Sequence, residues 1–264
     1  MHLKTLEEIN LIKSSSILVS KTLGMLTNEI KPGISTLYLD SLAETFIRDN
    51  GGIPAFLGLY NYPNTICASI NEQIIHGIPT KIPLKDGEIV SIDCGVKMNN
   101  YYGEHAYTFE VGNVNSNIRK LLKISKESLY LGIAECKAGN HIGDIGYAIQ
   151  NHVEKHGYSI VREFGGHGLG KKIHEEPNVP NYGIKQMGKK LLNGLVLAIE
   201  PIVNKGKKYI KIKKDGWTIS TLDKKPSAHY EHNIAIINGK PYLLSTYKYI
   251  YDSLGISSKE EKFI

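Results

Sequence analysis

Five residues able to bind a cation stand where the chain otherwise reads as buried core. Asp93 lies in IVSIDCGV, Glu104 in YYGEHAYTF, His167 in FGGHGLG, Glu200 in VLAIEPIV and Glu231 in HYEHNIAI. An ionised carboxylate in apolar surroundings is costly unless it is paired, hydrogen-bonded or bound to a cation. Each residue alone has a plainer reading. Asp93 fits a turn-proximal surface site, Glu104 a solvent-facing strand position, His167 an ordinary structural histidine, and Glu231, beside His229 and His232, a polar edge. Glu200 is harder to place that way, since VLAIEPIV offers it little but burial. Together the five point to a metal site, and so to a fold that gathers distant segments at one place.

The first two residues have a local route to each other. Asn99-Asn100 tolerates the left-handed turn conformation, and a two-residue loop there pairs Asp93 with Ala106 and Gly95 with Glu104. Asp93 and Glu104 are then diagonal neighbours on one sheet face, with Cβ atoms roughly 7–8 Å apart or somewhat less. Two ionised carboxylates there repel; a divalent cation between them reverses the sign, and a bridging oxygen can recruit a second cation. His167 adds a nitrogen donor from a glycine-lined turn, and Glu200 and Glu231 add oxygens from later strands. Such a set suits Mn, Fe, Co or Zn better than an all-oxygen calcium cage. Two cations sharing carboxylates would activate a bridging water and clamp both ends of a displacement.

Composition narrows the partners. The 264 residues are 41% hydrophobic and 22% charged, which permits a sizeable core and argues against wholesale disorder. Of the basic residues behind the net charge of +6, Arg48, Arg119 and Arg162 alone are arginine. That scarcity argues against sequence-specific DNA reading, while a mildly basic surface suits loose contact with an acidic partner such as the ribosome. Cys67, Cys94 and Cys136 are too few and too scattered for a disulfide framework, and no CxxC zinc site is present. Without a signal-peptide pattern or a bilayer-spanning apolar run, the expectation is a cytoplasmic protein with no membrane contact.

Element order is legible in outline. Thr5 and Glu8 have capping-box spacing ahead of a helix of about two dozen residues with Ile9, Ile12, Leu18, Leu23 and Leu26 on its apolar stripe. A second helix starts near Ser35, with Leu39, Leu42, Ala43, Phe46 and Ile47 on one face and Gly51-Gly52 as its stop. Residues 66–111 read as strands. Helices follow over about 116–137 and 142–156, then short strands and loops to about Leu244. The order helix, helix, strands, twice over, predicts an α+β fold of two similar halves sharing an antiparallel sheet, within a single unit spanning 1–264. The tail from about 245 is uninformative.

In chain order, INEQIIHGIP, SIDCGV, GEHAYTFEVG, GGHGLGKKIHEEPNVPNY, LAIEPIV, KDGWT and SAHYEHNIAI resemble the motifs of type I methionine aminopeptidase. The resemblance implies the pita-bread fold: two pseudo-symmetric halves around a curved antiparallel sheet, with helices on the outer face. It implies removal of the initiator methionine from nascent polypeptides with a small second residue, by a monomer carrying two divalent cations (Co, Mn, Fe or Zn). Carried over by position, Asp93 would chelate the first cation, His167 and Glu200 the second, with Glu104 and Glu231 bridging. His76 and His174 would contact the substrate at the scissile amide, and Glu200 would be the general base. Phe56, Leu59, Tyr62, Cys67, Ile173 and Trp217 correspond to the methionine pocket. For any one of these six except Trp217, ordinary core packing is the plainer reading.

The motifs also show departures. Glu104 stands where the family has aspartate, Asn233 follows YEH where it usually has threonine, and Ile173 replaces a larger aromatic. For Glu104 three consequences are open: a backbone that withdraws, a site that weakens or loses one cation, or slower turnover. A proline-specific relative on the same fold is the nearest catalytic alternative. The other class is a catalytically weakened pita-bread protein that binds peptides or the ribosome.

Overall fold

The first helix begins where the Thr5–Glu8 spacing predicts: Glu8 N donates to Thr5 Oγ1 (3.2 Å) and Thr5 N to Glu8 Oε2 (3.0 Å). The computed structural model describes residues 2–257. Its first half runs α1 (Leu6–Thr27), α2 (Thr36–Asp49), β1 (Ile53–Pro54), β2 (Ile66–Ile70), β3 (Gln73–Ile75), β4 (Ile89–Met98) and β5 (Tyr101–Glu110). The second half opens with α3 (Ser116–Ala134), α4 (Ile142–Lys155), β6 (Ser159–Ile160), β7 (Gly165–Gly168), β8 (Glu175–Pro180), β9 (Val196–Ile199) and β10 (Ile202–Asn204). It closes with β11 (Ile210–Ile212), β12 (Ile219–Thr221), β13 (Ser227–His229), β14 (His232–Ile237), β15 (Lys240–Leu243) and α5 (Lys248–Leu254).

Two sheets matter for the site. In one, β4 pairs with β5 on one edge and with β2 and β1 on the other; the second has the order β15-β14-β9-β7-β8, and all these pairings are antiparallel. The β4–β5 register is the predicted one, Asp93 opposite Ala106 and Gly95 opposite Glu104, with Asn99 (φ 50°) and Asn100 (φ 63°) both left-handed in the turn. The predicted stripe of α1 is buried. The helix also buries Ser15, Ser16 and Ser20, small side chains that let β5 come close. At Gly103 a Cβ would lie 2.3 Å from Ser16 N, so only glycine fits that crossing.

One apolar core runs through both halves, from Leu18 and Leu39 through Ile92 and Leu121 to Leu197 and Ile234. The tail read as uninformative takes part in it. Tyr247, Ile250 and Tyr251 are buried there, and the Tyr247 hydroxyl donates to Ala106 O or Glu231 O (3.0 and 3.1 Å). Residues 258–264 of that tail lie outside the described residues.

Candidate metal centre and substrate cavity

Each sheet turns one face toward a shared cavity, and the registers say which residues stand on it. Cys67 lies opposite Asp93, and Asp93 opposite Ala106; Glu104, two residues from Ala106, shares their face. In the second sheet His167 lies opposite Ala198, and Ala198 opposite Asn233. Glu200 follows Ala198 by two residues and Glu231 precedes Asn233 by two, so alternation turns both the same way. The sheets join where Glu231 N donates to Ala106 O at 3.0 Å. Two rows of residues thus face each other, each with a small alanine that leaves room between the donors.

The donors need something between them. His167 Nδ1 lies 3.0 Å from the Gly168 carbonyl; a proton there leaves the Nε2 lone pair aimed at Glu104 Oε1 (3.3 Å) and Glu200 Oε1 (3.5 Å). Lone pairs at such separations require a proton or a cation. Buried Asp93 Oδ1 and Glu104 Oε1 have no hydrogen-bond donor of normal geometry among the described residues. Burial pushes the Asp93 carboxyl up to about 7, although His229 pulls it down. Burial also holds Glu104 and Glu231 well above the usual carboxylate range, and the neighbouring carboxylates push them further. Glu200 behaves differently. Burial raises it, but the His229 imidazole 3.5 Å away and the nearby His167 and His174 imidazoles outweigh that and bring it below the ordinary value. Ligand atoms of Glu104, His167 and His174 all lie within 4.8 Å of one another. The donor set fits a divalent cation.

Beside these donors opens a cavity of about 540 Å³, within the usual range for a small-molecule site. Of the residues carried over from the motif, Phe56, Leu59, Tyr62, Cys67, His76, Asp93, Glu104, His167, His174, Glu200, Trp217 and Glu231 line it. Ile173 is missing from the described lining; it packs in one apolar cluster with Phe56, Tyr62 and Cys67. The Tyr62 hydroxyl lies 3.0 Å from both Ile66 O and Gly77 O, and Trp217 meets the Tyr62 ring edge-on at 5.1 Å. Trp217 is held at the rim by Asp215, whose Oδ1 accepts from Trp217 N (2.9 Å) and Thr218 N (2.8 Å). His76 projects from a left-handed turn position (φ 55°) with its ring near Phe164 and Trp217. Burial lowers His76, and burial with the adjacent His167 brings His174 down to about 4.

Residues 10–238 match the profile of Metallopeptidase family M24. The chain belongs to that family. Among M24 relatives, it is 46% identical over 246 residues to the methionine aminopeptidase of Clostridium perfringens, covering 93% of this chain and 99% of that protein. It is 49% identical over 246 residues to the methionine aminopeptidase of Borreliella burgdorferi, covering 93% and 98%. The crystal structure of methionine aminopeptidase from Rickettsia prowazekii is similar at a TM-score of 0.92 and 36% identity, over 93% of this chain and 100% of that one. The prolidase from Pyrococcus furiosus, 22% identical with a TM-score of 0.76 and covered to 65%, shares the fold alone. The architecture is thus the expected pita-bread α+β fold.

Several further residues, not marked by the motifs, meet this M24 site. Tyr60, Arg162, Glu163 and Phe164 line the cavity, and His229 Nε2 lies 3.5 Å from Glu200 Oε2. Alternation along SAHYEH does carry a signal for His229, since it stands two residues before Glu231. Nothing comparable marks Tyr60, whose approach follows from the left-handed turn at Gly58, Tyr60 and Asn61.

Proposed function

We propose that this chain is a metal-dependent aminopeptidase that removes the initiator methionine from nascent polypeptides whose second residue is small. One observation carries the reading: four carboxylates, Glu104 and Glu231 buried and Asp93 and Glu200 half-buried, converge with an imidazole beside a cavity whose other wall is Phe56, Leu59, Tyr62, Cys67 and Trp217. Asp93 would hold a first cation and His167 with Glu200 a second, with Glu104 and Glu231 shared. Such cations, Co, Mn, Fe or Zn, would lower the pKa of a water and polarise the scissile carbonyl. The rest falls to the chain. Glu200, held ionised by its imidazole neighbours, takes the proton of the attacking water. His174 and His76 are neutral at pH 7 and offer ring N–H groups to the carbonyl oxygen or leaving nitrogen. The apolar wall excludes water and receives the methionine side chain, with the Cys67 sulfur suited to a thioether.

Release of methionine from a Met-Ala or Met-Gly peptide tests this. Turnover should require Mn or Co and vanish on chelation; no turnover with any cation, together with no cation uptake, would falsify it. A second reading makes His174 a ligand, given its closeness to Glu104 and His167. In the proposed reading His174→Ala lowers turnover with cation uptake unchanged; loss of uptake favours the second. A protein reduced to peptide binding is not favoured, because all five donors remain at the cavity.

Residues 1–264 act as one catalytic unit, a monomer working in the cytoplasm; no helix among the described residues is long and apolar enough to cross a membrane. Transient ribosome contact fits the net charge of +6 and the lysines at 205, 207, 208, 211, 213 and 214, in the stretch that leads to Trp217. Salt-sensitive co-sedimentation with ribosomes checks it.

A further inference from the structure

Two of the three positions at which this chain departs from the motif, Glu104 and Asn233, are in direct contact. Asn233 is fully buried on β14. Its Oδ1 accepts from Glu104 N at 2.8 Å and lies 2.9 Å from Ser16 Oγ. Because Glu104 N can only donate, the facing atom must be the amide oxygen, and this fixes the amide's orientation. Its Nδ2 then points at Glu231 Oε1, 3.4 Å away. The backbone is equally committed: Asn233 N donates to Ser245 Oγ (3.0 Å) and Leu244 N donates to Asn233 O (2.8 Å). One rigid amide therefore spans the junction of the two sheets, with its acceptor on the main chain of one bridging carboxylate and its donor on the side chain of the other. A single hydroxyl cannot present acceptor and donor on two separate atoms.

The main chain at Glu104 is also held from behind, since Gly103 is pressed against Ser16 so closely that no Cβ fits. From that fixed position the Glu104 side chain brings Oε1 to 3.3 Å from His167 Nε2. A carboxylate shorter by one carbon–carbon bond, about 1.5 Å, would fall short of the same place. Resting on the metal-dependent reading above, we infer that Glu104 and Asn233 work as a matched pair. Asn233 is the positioning residue that fixes β5 at Glu104 and steadies Glu231. Glutamate at 104 supplies the reach from that fixed main chain to the other donors. Of the three consequences open from the sequence, this corresponds to the first, a main chain whose position suits the longer acid.

A double-mutant cycle read by calorimetric Mn2+ titration tests the pairing. Glu104→Asp and Asn233→Thr should each weaken Mn2+ binding by roughly tenfold, the usual scale for a disturbed metal shell. Because the two act as a unit, Glu104→Asp/Asn233→Thr should lose no more than either single variant. Losses that multiply, or Mn2+ bound by Glu104→Asp as tightly as by the parent protein, overturn the pairing. Should Asn233→Thr fail to fold, Glu104→Asp alone still decides it by the same criterion. If the parent protein takes up no cation, the functional reading fails first. Hydrogen exchange at the Glu104 amide in cation-free protein then decides the pairing: protection lost in Asn233→Thr supports it, and unchanged protection overturns it.

Discussion

Glu104 and His105 are chain neighbours on β5, both buried, and burial drives both toward their neutral forms. Their surroundings are opposite in kind. Glu104 looks into the cavity, among Asp93, Glu200, Glu231 and the lone pair of His167. His105 looks the other way, its ring packed against both His232 and Tyr247 with centroids 4.7 Å from each, in a three-ring cluster where those two lie 4.2 Å apart. Its nitrogens face the backbone of Glu231 and Thr246 without hydrogen bonds of normal geometry. On one face like charges surround open space, a conflict that a cation resolves. On the other, neutral rings fill the space and leave no charge to balance. Burial of a titratable group is therefore not what marks a site; convergence of such groups on a cavity is.

The sharpest way to break this distinction is to remove a charge from the cavity face. Glu200→Gln keeps the size of the side chain but cannot take a proton, and should lower kcat/KM on a Met-Ala peptide by roughly 10²–10⁴-fold, the span of general acid–base catalysis. The fold should survive, as reported by an unchanged circular dichroism spectrum. Activity close to that of the parent protein would remove Glu200 from the chemistry and leave the cavity face no more special than the other.

Next in size is an effect of pH on stability, where the two faces have opposite signs. Without a cation, Asp93, Glu104 and Glu231 have folded pKa values raised above their ordinary 3.8 and 4.5. Folded chain then holds protons that unfolded chain has released. Their stabilisation is fully present below about pH 4; the Asp93 share is lost as pH rises through about 7, and those of Glu104 and Glu231 as pH rises through their own raised values. His105 has a folded pKa lowered from 6.5 to about 3, so its contribution is present above pH 6.5 and lost as pH falls toward 3. A difference measurement separates them, because His105 contributes equally with and without cation. The gap in thermal midpoint between Mn2+-loaded and chelated protein should widen from pH 5 to pH 7.5, as the carboxylates ionise and bind. A gap that is flat with pH would mean that these carboxylates do not meet the cation.

The same contrast explains what could be read from the chain. Where position follows from local rules, the sequence sufficed. The Thr5–Glu8 box, the Ser35 cap and the left-handed Asn99-Asn100 turn each fix their own neighbourhood, and the last brings Asp93 and Glu104 together in the predicted register. Glu200 and Glu231 are legible as costly carboxylates beside apolar strands and His167 as a donor in a glycine-lined turn, though local rules say nothing of where those segments meet. The roles of Asn233 and Tyr247 were hidden for that reason. Asn233 matters because two sheets abut at Glu104, and Tyr247 because a helix beyond residue 245 returns to the core, and both facts are tertiary. Strand alternation puts His105 on the opposite face from Glu104, where it lies, but its aromatic partners come from β14 and the residue that opens α5.

The smallest expected effect belongs to that rear face. His105→Phe keeps a flat ring against both His232 and Tyr247 and removes two nitrogens that lack well-formed hydrogen bonds. A near volume-conserving aromatic exchange of this kind should cost less than about 1.5 kcal/mol at pH 7, and relief of the desolvated nitrogens works in the stabilising direction. Turnover and Mn2+ affinity should stay close to those of the parent protein, because the ring points away from every donor. In acid the variant should gain on the parent, since phenylalanine offers no site for the proton that unfolded histidine takes up below pH 6.5. Thermal midpoints between pH 4 and pH 7, together with one peptide assay, measure both halves of this expectation. A loss of turnover approaching that of Glu200→Gln would mean that the two faces of β5 are mechanically coupled, and that the stacked rings belong to the site after all.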